Sequence, residues 1–160
     1  MIIEQFHIGI TVSDLDKSIA FYRDVLGLTL DRIEPPHKSR ERKLGVPGAV
    51  VRIGIMKYGE KDSIELIQYL NPEPPNKVGP PVNAISAMHI CFRVDDIEAE
   101  MKRLKALGVE FVGGDDYEVN SYGPLKGLKW VYFKDPDGTN LEIQEGDFVN
   151  AADTTEWIEE

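Results

Sequence analysis

Phe6-His7-Ile8-Gly9-Ile10-Thr11-Val12-Ser13-Asp14-Leu15 returns, 82 positions on, as Met88-His89-Ile90-Cys91-Phe92-Arg93-Val94-Asp95-Asp96-Ile97. Both stretches alternate as a half-buried strand does. Phe6, Ile8, Ile10 and Val12 fall on one face, and His7, Gly9 and Thr11 on the other. Both then reach an aspartate suited to accept the free N–H groups at the start of a helix, with Ser13 an alternative cap in the first copy. Leu15, Ile19, Tyr22 and Leu26 repeat at helical spacing before Gly27; Ile97, Met101, Leu104 and Leu107 do so before Gly108. Each half also closes on an apolar strand with a carboxylate at its centre, Ile64-Glu65-Leu66-Ile67 and Leu141-Glu142-Ile143-Gln144. The chain therefore reads as a duplication.

Working outward, strand-like text continues at 28–33, and a polar, proline-containing stretch runs from Glu34 to Pro47. Val50–Lys57 and Ser63–Tyr69 are expected as strands joined by a turn over Tyr58–Asp62. The first module, residues 3–70, is thus βαβββ. A linker follows at 71–84, where prolines at 72, 74, 75, 80 and 81 leave an extended, donor-poor backbone. The second module, 85–146, repeats the pattern with strands at Ala87–Val94, Val109–Val112, Lys129–Lys134 and Thr139–Gln144 and a helix over Asp96–Leu107. Asp135-Pro136-Asp137-Gly138 signals a turn between the last two strands. The copies differ by one residue across the helix, since Gly27 and Gly108 are 81 apart. The acidic tail, 147–160, carries Trp157 and Ile158, which suit a short docked helix or a frayed end. The expected fold is α+β: two tandem βαβββ modules in a single domain over 1–146, their mixed sheets curled around a shared metal-binding cleft.

Composition narrows the function. With 42% hydrophobic and 29% charged residues, 160 residues suffice for a packed core. A formal charge of −10 repels nucleic-acid backbones and anionic membranes, so neither is an expected partner. One cysteine, Cys91, rules out an intrachain disulfide and agrees with a reducing cytoplasm. No basic-then-apolar leader and no apolar run of membrane-spanning length is present.

His7, Glu65, His89 and Glu142 stand out because each interrupts an apolar strand at a matching place in the two copies. A single strand histidine is ordinary packing and a single glutamate is ordinarily solvated. Burying an unpaired carboxylate costs several kcal/mol or more, and a cation removes that cost. Two imidazoles and two carboxylates suit one divalent ion of Zn, Ni, Co, Mn or Fe. Four such ligands leave one or two positions for water or substrate. His37, between prolines and a polar loop, reads as surface or substrate rim.

The pattern resembles the vicinal oxygen chelate superfamily, which includes glyoxalase I, methylmalonyl-CoA epimerase, extradiol dioxygenases, and the bleomycin- and fosfomycin-resistance proteins. The resemblance spans about residues 3–146. It rests on His7 with Asp14, on Phe21-Tyr22-Arg23-Asp24-Val25-Leu26-Gly27-Leu28, on Val94-Asp95-Asp96-Ile97, on Gly123-Pro124-Leu125-Lys126-Gly127, and on Asp135-Pro136-Asp137-Gly138 before Leu141-Glu142. The resemblance implies that His7, Glu65, His89 and Glu142 hold the metal, and that a small substrate chelates it through two neighbouring oxygens. It further implies proton transfer through an enediolate, with Glu142 as first candidate base and Glu65 as second. A homodimer is also implied.

Departures separate this chain from particular members. Glutathione-binding arginine and asparagine of bacterial glyoxalase I are replaced by Thr11 and Tyr69. The second carboxylate of methylmalonyl-CoA epimerase falls in Gly45-Val46-Pro47-Gly48, which has none. A dioxygenase triad of His7, His89 and Glu142 is available, but Glu65 then crowds an open position. A metal-free sequestering protein of the bleomycin-resistance type is the competing reading, and the intact four donors argue against it. The expectation is a metal-dependent lyase, isomerase or epimerase. By alternation Trp130 and Tyr132 face the cleft if Val131 and Phe133 face the helix; Ile67 and Tyr69 join Glu65, and Cys91 joins His89. Arg52 and Lys126 are the expected contacts for an anionic substrate group.

Overall fold

Asp14 and Asp96 occupy equivalent corners of the chain. The computed structural model describes residues 1–37 and 41–147, and both aspartates have extended backbones in it, with φ −140° and −145°. Asp14 Oδ1 accepts from the N–H groups of Asp16 and Lys17 at 3.0 and 3.1 Å, and Asp96 Oδ1 from that of Ala99 at 2.9 Å. Each cap satisfies donors that the first helical turn leaves open. The chain divides into two compact units, Met1–Gly79 and Pro80–Glu160.

In the first unit, β1 (Ile8–Val12), β2 (Thr29–His37), β3 (Val50–Tyr58) and β4 (Lys61–Asn71) form one sheet in the order β1-β4-β3-β2. β1 runs parallel to β4, and the other neighbours are antiparallel. α1 (Leu15–Ala20) packs on one face: a Cβ added to Gly54 of β3 would stand 3.1 Å from Ile19 and 3.2 Å from Leu15. On that side Ile10, Val12, Ile64, Leu66 and Met56 are buried with Leu15, Ile19 and Tyr22. The opposite face carries Val51, Ile53 and Ile55, with Ile67 and Tyr69 packed against them.

The second unit repeats the topology. β5 (His89–Val94), β6 (Glu118–Val119), β7 (Lys129–Lys134) and β8 (Asn140–Glu145) are ordered β5-β8-β7-β6, with β5 parallel to β8. Leu141, Ile143, Val131 and Phe133 are buried, as are Ile97, Met101 and Leu104 of the long helix Ile97–Ala106. Asp135 Oδ1 accepts from the N–H groups of Asp137 and Thr139 at 2.9 and 2.8 Å, and Gly138 takes φ 85°, so the expected turn forms.

The one-residue mismatch between the copies has a local cause. After α1 the helix widens over Phe21–Val25, where the Leu26 N–H reaches back five residues to the Phe21 carbonyl at 3.3 Å. Such a π-type turn accommodates one extra residue without ending the helix. The second helix has no such turn and is one residue shorter between its aspartate and its glycine. Both glycines have positive φ, 77° at Gly27 and 85° at Gly108.

Two expectations need correction. The stretch from Glu34 is not all loop: β2 continues through Pro35 and Pro36 to His37, and a short α2 (Glu41–Leu44) follows. β2 is the sheet's edge strand, where a missing N–H is tolerated, and its register slips between Glu34 and His37. Val109–Val112 is not a strand. Only Phe111 bridges to Phe133, and the Val112 N–H donates to the Tyr132 carbonyl at 2.8 Å. Gly113 and Gly114, with φ 89° and 129°, then turn the chain away, and β6 forms further on. The long helix of the second unit is therefore the third of the chain, α3 (Ile97–Ala106). No helix among the described residues is long and apolar enough to cross a membrane. The tail reading, from 148 onward, lies outside the described residues.

Candidate functional site

Each unit brings one histidine and one glutamate together. β1 lies beside β4 with Gly9 opposite Glu65, so His7, two residues earlier, falls on the same face. His7 Nε2 is 3.5 Å from Glu65 Oε2. In the second unit Cys91 is opposite Glu142, and His89 Nε2 is 3.0 Å from Glu142 Oε2. The equivalence extends to the neighbours: Gly9 matches Cys91, and Ile55 matches Tyr132 as the antiparallel partner of the glutamate. Gly9 leaves space beside the carboxylate, since a Cβ there would lie 3.9 Å from Glu65 Oε2 and 3.6 Å from Ile67.

The two pairs differ in surroundings. Glu65 sits by an aliphatic wall of Ile53, Ile55 and Ile67, with Tyr69 at its end. Glu142 is buried at 8% exposure beside a row of rings. The His89 and Tyr132 rings meet edge to face at 5.2 Å, and Tyr132 meets Trp130 the same way at 5.4 Å. The Trp130 indole N–H donates to Asn120 Oδ1 at 3.3 Å, which fixes the ring. Cys91 donates to Gln144 Oε1 at 3.6 Å.

Burial raises the Glu142 carboxyl above its ordinary range, opposed first by the charge of His89. Burial, then the Glu142 charge, push the Cys91 thiol up to about 11. Tyr132 is raised by burial and by the same carboxylate. This face therefore favours uncharged thiol and phenol and a carboxylate ready to take a proton or a cation.

His89, Cys91, Glu142, Trp130 and Tyr132 thus gather in the second unit, and His7, Glu65 and Tyr69 share a face in the first. Arg52 does not join them. It alternates onto the α1 side of the sheet, where its guanidinium binds both Asp16 oxygens at 3.1 and 3.2 Å. Lys126 is exposed after the turn Gly123–Leu125. Gln144 was missed, although its place two residues after Glu142 assigns it to the same face. Among the described residues the donors gather in pairs, with no group of three or more His, Cys, Asp or Glu placed to hold a metal ion.

The donor chemistry and spacing of each pair fit a divalent ion. Ligands at about 2.0–2.2 Å from one ion stand roughly 2.8–3.6 Å apart when adjacent in octahedral or tetrahedral order. The observed 3.0 and 3.5 Å lie in that range.

Residues 5–143 match the family model described as the Glyoxalase/Bleomycin resistance protein/Dioxygenase superfamily. A 2-epi-5-epi-valiolone epimerase from an Actinomyces species is 32% identical over 142 residues, spanning 86% of this chain and 76% of the relative. The mitochondrial methylmalonyl-CoA epimerase of Mus musculus is 28% identical over 140 residues, spanning 87% and 71%. A solved glyoxalase family protein from Bacillus cereus aligns with a TM-score of 0.75 at 27% identity, covering 91% of this chain and 95% of that one.

Proposed function

Because this chain belongs to the Glyoxalase/Bleomycin resistance protein/Dioxygenase superfamily, we propose that it is a metal-dependent epimerase or isomerase. Its substrate is a small oxygenated metabolite with two neighbouring oxygens, and the reaction moves a proton at the carbon beside a carbonyl. The observation that carries this reading is the duplicated pair: His7 with Glu65 and His89 with Glu142, at the same places of two like sheets. His7, Glu65, His89 and Glu142 would hold one divalent cation. When bound, that cation supplies Lewis-acid stabilisation of the negative charge that develops on the substrate oxygens.

The chain's own groups do the rest. Glu142 is the first candidate to take the proton, at an oxygen that burial has already made more basic. His89 holds that carboxylate in place, and the Tyr132 ring packs edge to face against that imidazole. Glu65, in the aliphatic half, is the second candidate. Epimerisation is preferred over glutathione-dependent lyase chemistry because Thr11 and Tyr69 stand where glutathione contacts are expected, and because two relatives are named as epimerases.

Exchange of the substrate α-proton with D₂O, followed by NMR on metal-loaded protein, tests the proposal. Glu142→Gln is expected to lower the exchange rate about 10²–10⁴-fold. Exchange at the wild-type rate in that variant removes Glu142 from the role.

A further inference from the structure

A groove runs along the helix side of the second unit. One wall is a stripe of α3, where Glu98, Met101, Lys102 and Lys105 share a face at i, i+3, i+4 and i+7 spacing. The other wall is the segment that begins at the Phe111 bridge and carries Asp115, Asp116 and Tyr117. The cavity between them measures about 730 Å³.

Its floor is apolar. Met101 is buried, the Phe111 and Tyr117 rings are half-buried, and Phe111 is backed by the Phe133 ring, edge to face at 6.2 Å. Much of the charged rim is paired within itself. The Tyr117 hydroxyl donates to Glu98 at 2.8 Å, and Lys105 donates to Asp115. Lys102, exposed in the middle of the stripe, has no ion pair or hydrogen bond among the described residues. The groove therefore suits an apolar side chain with a carboxylate beside it. That carboxylate has to face the helix, because Asp115 and Asp116 occupy the opposite wall.

The chain carries such a segment close by. β8 leads through Gly146, with φ 114°, to Asp147, which Arg93 holds at 2.7 Å. Glu145 accepts from the Ile97 N–H, next to Glu98, and from Lys129, whose ammonium stands 5.4 Å from the centre of the Tyr117 ring. The chain thus leaves the sheet about one side chain away from the groove. Ten positions separate Asp147 from Trp157, about 33 Å if extended and about 15 Å if helical. The stripe from Glu98 to Lys105 spans only about 10 Å. Trp157 and Ile158 are flanked by Glu156, Glu159 and Glu160.

We propose that the C-terminal segment of this chain docks in the groove, with the Trp157 indole on Met101, Phe111 and Tyr117 and a carboxylate of Glu156, Glu159 or Glu160 on Lys102. The indole covers the apolar floor and supplies most of the attraction. The Lys102 ammonium sets which side of the segment faces α3, and contributes modestly, as an exposed pair does.

The test is NMR of the full-length protein with its four methionine methyls isotope-labelled, the Met101 signal being assigned through Met101→Leu. An indole stacked on the Met101 methyl moves its resonance upfield. Trp157→Leu should return it downfield, while Met56, in the first unit, stays in place. Lys102→Glu should reduce the upfield shift, with the docked population falling about two- to fivefold relative to the undocked one. Dilution of the wild type should change nothing. The same Met101 position in the wild type and in Trp157→Leu overturns the proposal and leaves the groove to a partner from outside the chain. An upfield shift that disappears on dilution also overturns it, because the groove then holds the tail of a second copy.

Discussion

Cys91 and Glu142 show how much one position's surroundings decide. The same alternation that puts His7 beside Gly9 puts His89 beside a thiol, and burial next to a carboxylate holds that thiol protonated, with a pKa of about 11. In metal-free protein at pH 7 the thiolate fraction is therefore on the order of 1 in 10⁴. Alkylation by iodoacetamide should be slow at pH 7 and accelerate about tenfold for each pH unit up to 10. Rapid modification at pH 7 would contradict the placement. At this scale the two histidine–glutamate pairs were legible in the sequence, because histidine and glutamate in apolar strands are conspicuous. Arg52 was not: its alternation assigns it to the helix side, and Asp16, 36 residues away, claims it there. A cation's partner on another element leaves no mark in the text around it.

At the scale of elements, the strand that carries each glutamate also fixes the start of the neighbouring helix. Gln68, three residues after Glu65, donates to the Ser13 carbonyl at 3.0 Å. Glu145, three after Glu142, accepts from the Ile97 N–H at 2.8 Å and from Lys129. The Ile97 N–H and then Lys129 hold the Glu145 carboxyl below its usual range. A carboxyl lowered in the folded state adds stability above its unfolded pKa and loses it as pH falls through the folded value. Glu145→Gln should therefore cost about 1 kcal/mol at pH 7, measured by urea unfolding, with the gap closing below about pH 4. A gap that widens in acid contradicts this sign. Gly54→Val should cost about 1–3 kcal/mol, because Leu15 and Ile19 already stand against the missing Cβ. A neutral effect would mean that α1 is free to move off the sheet. The periodic elements and the glycine stops were legible here. The widened turn in the first helix, the continuation of β2 through two prolines, and the failure of Val109–Val112 as a strand were not. Each depends on how a neighbouring strand or helix accommodates local geometry, and periodicity carries no information about that.

At the scale of the whole molecule, duplication is the organising fact. Two sheets with the same strand order each present one imidazole and one carboxylate at 3.0–3.5 Å, and the two copies have diverged around them. The first keeps an aliphatic wall; the second acquired rings, a thiol and an amide. In the epimerase proposed above, that division would give one scaffold two candidate proton carriers in unlike surroundings. The family was legible from the repeat, and the substrate was not, because walls change freely while the scaffold persists. The central claim is that the duplicated donors act as one set on one cation. Elemental analysis of untagged protein, as isolated and after reconstitution, tests it most directly when repeated on His7→Ala and His89→Ala. The account predicts about one divalent ion per chain in the wild type and loss from both variants, because each pair alone is an incomplete ligand set. A wild type that holds no ion after reconstitution, or a His7→Ala protein that retains its full complement, would contradict it.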